Sequence, residues 1–341
     1  MTASQHGRSP ALGVGLVGYG SVARKHVEAL ETVPGAELAA LCRRSSDRPD
    51  GLDVAVHTDL AGMLDDPAVE LVAICTPSGL HLDQAKQVVE AGKDVVIEKP
   101  IGLDYAKAEQ LVGLARSRGV TVSVISQRRF EPHVQAVRGA LTSGGLGRPV
   151  LGEASLVWSR DASYYTDVEW RGTIAQDGGA LMNQGIHVVD LLVWLMGPVS
   201  EVLGVTATRV HRIEAEDTAV AALRFANGAL GHLTATTAAS AGRPAGLNLE
   251  FEHGRIAFDE AGITRWDVPG LDPPDVSGTK ASGAGDPMAI VATDHAKQWS
   301  DILDAIASGR DPLVTGEEGL RTLGVVLAVH ESASTGRAVA L

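Results

Sequence analysis

Residues 12–26 read LGVGLVGYGSVARKH, a short apolar run that breaks at Gly18-Tyr19-Gly20 and continues into helix-forming residues. A run this continuously apolar suits a strand buried on both faces rather than one with a wet side. Gly18, Gly20 and Ala23 fit the G-x-G-x-x-G/A pattern. In that pattern glycine lets the backbone approach a pyrophosphate, to which the following helix offers unpaired N–H groups and the positive end of its dipole. Three small residues alone say little, and their context decides. AELAALC (36–42), LVAICTP (71–77), DVVIEK (94–99) and VTVSVIS (120–126) are further apolar runs. Between them lie SVARKHVEALETV (21–33), LHLDQAKQVVEAG (80–92) and DYAKAEQLVGLARSRG (104–119), the last two closed by the glycine that commonly ends a helix. Strand and helix in alternation predict a doubly wound parallel sheet, an α/β fold. A dinucleotide is then the expected ligand of Gly18, Tyr19, Gly20, Ser21 and Val22.

Beyond residue 126 the pattern changes. VLGEASLVW, VSEVLGVTATRV, DTAVAALRFANGALGHLTATTA and GLNLEFEHGRIAFDEAGITRW are longer and partly alternating, with Asn227-Gly228 placed as a two-residue hairpin turn. They predict a second, α+β domain with an open-faced, mainly antiparallel sheet, interrupted by a helix over 178–196. The stretch 270–287, rich in Gly, Pro, Ser and Asp, predicts a surface loop, and helices over 293–308 and 316–335 close the chain. The expected division is 1–126 and 127–341, with the C-terminal helix packing back on the first unit. There is no internal repeat.

With 45% hydrophobic and 21% charged residues in 341, the chain has the material for two globular cores. A formal net charge of −13 argues against nucleic acid or an anionic membrane as partner. The opening MTASQHGRSP lacks the apolar segment of a signal peptide, and VVDLLVWLM (188–196) is too short to span a bilayer, so a cytoplasmic location is expected. Cys42 and Cys75 end apolar runs and are expected as core residues. His211, His232, His253 and His295 are scattered, no spacing suggests a metal, and none is expected.

A dinucleotide fold of this kind normally ends its second strand on an acid that holds the ribose 2′-hydroxyl of NAD. Here the chain reads LCRRSS, with Arg43 and Arg44 followed by Ser45. Two guanidinium groups suit a 2′-phosphate, so NADP is the favoured cofactor, with NAD the alternative if Asp47 curls back to the ribose. VVIEKPIG (95–102) raises a different point: a buried strand runs into Glu98, Lys99 and Pro100. Proline fixes its own φ and extends the residue before it, which aims Lys99 at the carboxyl edge of the sheet, where ligands bind. A positive nicotinamide beside it would lower the lysine pKa and suit it to proton exchange with a substrate hydroxyl.

In order along the chain, GLVGYGSVARKH, CTPSGLH (75–81), EKPIG (98–102), WRGT (170–173), GGALMNQGIHVVDLLVWLMG (178–197) and SASTGRAVAL resemble the glucose-fructose oxidoreductase, inositol dehydrogenase and MocA family. The resemblance covers nearly the whole chain. It implies a Rossmann domain, a second open-faced domain, and hydride transfer between NAD(P) and a secondary alcohol of a sugar, cyclitol or nucleotide sugar. It matches Lys99 to the catalytic lysine, His187 to the substrate-side acid/base, and Thr76, Pro77, His81, Glu98 and Pro100 to the cofactor cleft. Many members carry an aspartate four residues before the histidine; here that residue is Asn183. One helical turn from His187, Asn183 is expected to hydrogen-bond it or a substrate hydroxyl, and the missing charge shifts proton transfer toward Lys99. Asp190, one turn beyond His187, is assigned a structural role.

The wording MNQGIH resembles the subset acting on UDP-linked N-acetylglucosaminuronic acid. Substrate contacts are expected from Gln127, Arg128, Tyr165, Trp170 and Arg171, beside Lys99, Asn183 and His187, with Arg160 and Tyr164 as further candidates. The alternatives within the family are a glycosidase that uses bound NAD and a non-catalytic dinucleotide-binding regulator. The open apolar sheet face and the family together imply a homodimer or homotetramer.

Overall fold

A computed structural model describes residues 11–276 and 292–341. The polar opening and residues 277–287 of the expected loop lie outside the described residues. The first part runs β1 (Leu12–Val17), α1 (Ser21–Leu30), β2 (Ala36–Cys42), β3 (Ala55–His57), α2 (Leu60–Leu64), β4 (Leu71–Ile74), α3 (His81–Glu90), β5 (Asp94–Ile97), α4 (Tyr105–Arg118) and β6 (Val122–Val124). All six strands are parallel in the order β3-β2-β1-β4-β5-β6. The strand order reverses direction between β1 and β4, and that switch point is where an open α/β sheet forms its crevice.

The chain then crosses to a second layer through a 3₁₀ turn, Gln127–Phe130. Here follow α5 (Pro132–Thr142), β7 (Pro149–Ser159), α6 (Ala162–Thr166), α7 (Ile186–Met196), β8 (Val199–Ala207), β9 (Thr218–Phe225), β10 (Leu230–Thr236), β11 (Ala238–Phe251), β12 (Gly254–Asp259) and β13 (Gly262–Asp267). The chain closes with α8 (Thr293–Ser308), α9 (Gly316–Thr335) and β14 (Val339–Ala340). The sheet order is β13-β12-β11-β7-β10-β9-β8-β14. It is antiparallel except where β10 lies parallel to β7. Burial alternates along β9 and β10, with Leu223 and Leu233 inside and Val220 and Leu230 outside. One face of this sheet is therefore covered, by α7 and α9, and the other is open.

The cores are continuous. One apolar cluster runs from Val95 and Ile97 in the first sheet, by way of Leu191, Leu323 and Val326, to Leu223 and Leu233 in the second. α8 packs on α1, and α9 lies against α4, β6 and β8. Among the described residues no helix is long and apolar enough to cross a membrane.

Several short elements were not legible in sequence: β3, α2, α5, α6 and β14. Three or five residues carry too little periodicity to announce β3, α2 or α6, the eleven residues of α5 follow directly on a 3₁₀ turn with Pro132 at their start, and β14 pairs with the edge that β8 offers it. The helix expected over 178–196 is also modified. Gly178 and Gly179 have φ of 80° and 95°, outside helical geometry, and a π turn over Leu181–Gly185 precedes α7. Glu216 sets this entry: its Oε1 accepts the Leu181 N–H at 2.9 Å and its main-chain oxygen accepts the Ala180 N–H at 2.9 Å.

Asp190 has the structural role expected of it. Arg129 is 0% exposed and grips Asp190 bidentately, Nε to Oδ2 at 2.8 Å and Nη2 to Oδ1 at 2.7 Å, while its Nη1 reaches Glu318 of α9 at 2.8 Å. Thr322 adds a bond to Asp190 Oδ1 at 3.1 Å. Removing one partner of a buried charge pair strands the other. Asp190→Ala is therefore expected to lower the free energy of unfolding by about 3–5 kcal/mol, read from denaturant titration.

Candidate active site

The cleft begins where β1 ends. Gly18 has φ of 87°, and a Cβ there would lie 2.9 Å from the carbonyl oxygen of Cys75 at the end of β4, so only glycine lets the two strand ends approach this closely. Gly20 differs in kind. Its backbone is extended, it precedes α1 without a side-chain cap, and a Cβ added to it would meet nothing within 4 Å. The first turn of α1 thus presents unpaired N–H groups to open space, a fit for a pyrophosphate.

Beside this turn, Tyr19 carries two guanidinium groups over its ring, Arg24 at 5.6 Å and Arg43 at 5.9 Å. Arg43 also donates to the main-chain oxygen of Asp47 at 3.3 Å. The Asp47 carboxylate is taken up locally by Ser45 Oγ at 2.7 Å. Among the described residues no carboxylate pairs with Arg24, Arg43 or Arg44, whereas neighbouring Arg48 pairs with Asp53.

Thr76 donates to Gln84 at 2.6 Å, and Pro77 leads into a 3₁₀ turn at Ser78–Leu80. His81 and Glu98, matched above to the cofactor cleft, are buried and engaged with protein. The ring nitrogens of His81 lie 2.8 Å from the oxygens of Pro100 and of Thr76, tying together the loops after β4 and β5. Burial lowers the His81 pKa. Glu98 Oε1 accepts from His26 Nε2 at 2.9 Å, and its Oε2 accepts the Lys99 N–H at 3.1 Å. Burial alone would raise the Glu98 pKa, but His26 and His295 hold it well below the usual carboxylate range.

His26, Glu98 and His295 converge closely enough to suggest a metal site. Trp299 Nε1–H donates to His26 Nδ1 at 3.0 Å, which puts the His26 proton on Nε2, where it faces Glu98. That nitrogen has no lone pair to give an ion, and the bonds from Trp299 to His26 and from His26 to Glu98 form a clasp joining α8, α1 and the end of β5, with His295 Nε2 3.8 Å from Glu98 Oε1.

Lys99 leaves this clasp and crosses to the π turn. Its Nζ donates to the main-chain oxygen of Asn183 at 2.7 Å and lies 3.4 Å from Asn183 Oδ1. Burial lowers the lysine pKa, against the opposing pull of Glu98 and Asp177. No cofactor charge is needed for the depression anticipated from sequence. Pro100, Ser126, His187, Asp190 and Thr322 line a small cavity with Lys99. The His187 pKa lies well below its ordinary value, because of burial first and then the charges of Lys99 and Arg128, so the ring is neutral. The expected bond between Asn183 and His187 is not formed. The π turn intervenes, and the Asn183 amide donates instead to Asp177.

Gln127 and Arg128 are buried in the crossing turn, with Gln127 Oε1 and Arg128 Nη2 lacking hydrogen-bond partners among the described residues. Arg128 Nε faces Glu131 at 3.4 Å. Arg171 lies over the Tyr164 ring at 4.1 Å, 5.7 Å from that of Trp170, and donates to the Tyr164 main-chain oxygen at 2.9 Å. Arg160 stacks on Trp158 and Tyr164. Tyr165 is engaged with Thr237 at 2.7 Å and with the His211 ring. Sequence reasoning missed Asp177, Gln184, which donates to the Tyr164 hydroxyl at 2.7 Å, and Glu216. Only Asp177 left a signal, an acid directly before Gly178-Gly179.

An open glycine turn at the sheet's switch point, with a lysine of lowered pKa at the end of the buried strand β5, is the arrangement of a dinucleotide-dependent oxidoreductase. Residues 12–126 match "Oxidoreductase family, NAD-binding Rossmann fold" and residues 134–257 match "GFO/IDH/MocA C-terminal domain". The chain belongs to the GFO/IDH/MocA oxidoreductase family. An uncharacterized oxidoreductase of Synechocystis is 31% identical over 74% of this chain and 72% of its own. The scyllo-inositol 2-dehydrogenase (NADP(+)) IolW of Bacillus subtilis is 26% identical, covering 96% and 95%. The WlbA dehydrogenase of Bordetella pertussis, solved with NADH and UDP-GlcNAcA, superimposes with a TM-score of 0.87 at 30% identity, covering 97% of this chain and 99% of that one. The chain is thus an NAD(P)-binding dehydrogenase acting on CH–OH groups.

The open space at Gly20 gives a direct check. Gly20→Asp would cap α1 at no steric cost yet place a charge where the pyrophosphate belongs. Its melting temperature should hold or rise, and calorimetry should show NAD(P) affinity falling at least ~10-fold, about 1.4 kcal/mol.

Proposed function

We propose that this protein oxidises, or in reverse reduces, a ring carbon bearing a secondary alcohol on a sugar or nucleotide sugar, with Lys99 as the group that takes or returns the hydroxyl proton. The observation that carries this is the setting of Lys99. Burial favours the neutral form of Lys99, in which the amine has two N–H bonds and one lone pair. Asn183 offers two acceptors, its main-chain oxygen and Oδ1, so the lone pair is left for a substrate proton. The nicotinamide, when bound, supplies the hydride acceptor or donor. His187, neutral and lining the same cavity, orients the substrate oxygen. Arg171, Trp170 and the unpartnered edges of Gln127 and Arg128 support recognition of an acidic or heavily hydroxylated ligand, in keeping with the UDP-GlcNAcA bound by the Bordetella relative.

Residues 1–126 serve as the nucleotide-binding unit and 127–341 as the substrate unit in this reading, within a cytoplasmic homo-oligomer. The open sheet face, with Val150, Leu203, Val205, Val220 and Leu230 exposed, supports the association.

NADP is the proposed preference. Arg43 and Arg44, paired with no carboxylate among the described residues, form with Arg24 a cationic rim at the end of β2, and the Asp47 carboxylate is occupied by Ser45. The Bordetella relative is solved with NADH, so the rim carries the distinction. The variant R43A/R44A is expected to lose about 10–100-fold in NADP affinity while NAD changes by less than ~3-fold, read by parallel calorimetric titrations. Wild-type protein that binds NAD the tighter would overturn the preference.

The catalytic assignment is tested with a panel of sugars, cyclitols and UDP-GlcNAcA, following reduced nicotinamide by its near-ultraviolet absorbance. On whichever substrate the wild type turns over, Lys99→Ala should lose about 10²–10⁴-fold in turnover and keep its nucleotide affinity. Undiminished turnover would sink the role.

A further inference from the structure

The Asn183 amide makes two contacts of opposite kind. Its Nδ2 donates to Asp177 Oδ1, and its Oδ1 faces Lys99 Nζ at 3.4 Å. Asp177 is 2% exposed, and its other oxygen accepts the Gly172 N–H at 2.8 Å. Its own main chain is fixed by a bond to the Thr173 oxygen at 3.1 Å. The carboxylate is therefore immobilised from two sides before it meets Asn183.

We propose that Asp177 is a positioning residue for Lys99, acting through Asn183: as an acceptor-only group it fixes which way the amide points, and as a charge it is the distant counter-ion of the lysine. The first effect follows from the donor inventory. Burial raises the Asp177 pKa, opposed by the Gly172 N–H, the Asn183 amide and the charges of Lys99 and Arg171; the carboxylate those groups favour can only accept, so the NH₂ end of Asn183 faces it and the oxygen faces Lys99. A flipped amide would present donors to the lysine's own N–H groups and leave the carboxylate facing an oxygen. The second effect follows from the charges around the lysine. Glu98 faces it from the end of β5, His81 from α3, His187 from α7 and Asp177 from the turn before the π helix. Glu98 is already shared between His26 and the Lys99 main chain. Arg128 and His295 act on His187, and Arg171 on Asp177. Asp190 lines the cavity with Lys99 but is gripped by Arg129. Asp177 thus acts on Lys99 from the π-turn side, with Asn183 carrying its influence in low-dielectric surroundings.

The proposal rests on Lys99 as the proton-handling group, but its test needs no turnover. Dilute acetic anhydride acetylates only neutral amines, so the rate of labelling of the Lys99 peptide against pH, read by mass spectrometry in the full chain, gives the titration midpoint of Lys99. The other lysines serve as internal controls. Asp177→Asn should move the midpoint down by about 1 pH unit, since a neighbouring negative charge favours the ammonium form. Asp177→Glu, which keeps the charge while disturbing the packing, should stay within ~0.3 unit of wild type. An unmoved midpoint in D177N overturns the proposal, as does a shift in D177E equal to that in D177N, which would mark packing rather than charge. Should D177N not fold, Asp177→Ser carries the same expectations. An active Lys99→Ala variant would condemn the catalytic reading and leave this midpoint untouched, so the two failures are distinguishable.

Discussion

The buried carboxylate of Glu98 is the constraint on which the site depends. An ionised acid inside a protein survives only with several donors, and the fold delivers them from separated parts of the chain. His26 comes from α1, the Lys99 N–H from the end of β5, and Trp299 of α8 fixes the His26 tautomer from behind. The helix that opens with the phosphate turn is thereby locked to the strand that ends with the lysine. The glycine turn before α1 and Lys99 share one rigid frame.

The second sheet completes the site from the opposite side. Glu216 draws the chain into the π turn, Gly178 and Gly179 allow the approach, and Asn183 arrives with its main-chain oxygen against Lys99. A Cβ on Gly179 would fall 2.0 Å from Glu216 Oε2, so the capping acid and the glycine are a matched pair. Arg129, joining Asp190 of α7 to Glu318 of α9, holds the helix that carries His187. Each half of the cleft is pinned by its own buried ion, and Lys99 is the side chain that crosses between them.

Much of this was legible in sequence, for identifiable reasons. The parallel sheet announced itself because strands covered on both faces leave continuous apolar runs, as in LVAIC and DVVIE. Lys99 was legible because proline follows it. What escaped depends on contacts between distant residues. Nothing in the spelling of ARKH tells that His26 will meet Glu98, 72 residues on. Nor does MNQGIH reveal a π turn, and the four-residue spacing of Asn183 and His187 read as one turn of ordinary helix. The extra residue in that turn sends the amide to Asp177 and Lys99 instead. His81 and Glu98 were matched to the cleft by resemblance, yet their side chains are consumed in holding its walls.

The outer edge of the parallel sheet is closed by a late part of the chain. Ser123 of β6 donates to the Val314 oxygen across a separation of 191 residues, and Gly316 and Gly319 let α9 lie directly on Val122 and Val124. On a ribosome, at about 5–20 residues per second, that edge waits some 10–40 s for its cover. During the wait β6 presents unpaired backbone groups and an apolar flank, the features that recruit a neighbouring nascent chain or a chaperone. For this molecule the covering of that edge is thus tied to the completion of its own synthesis.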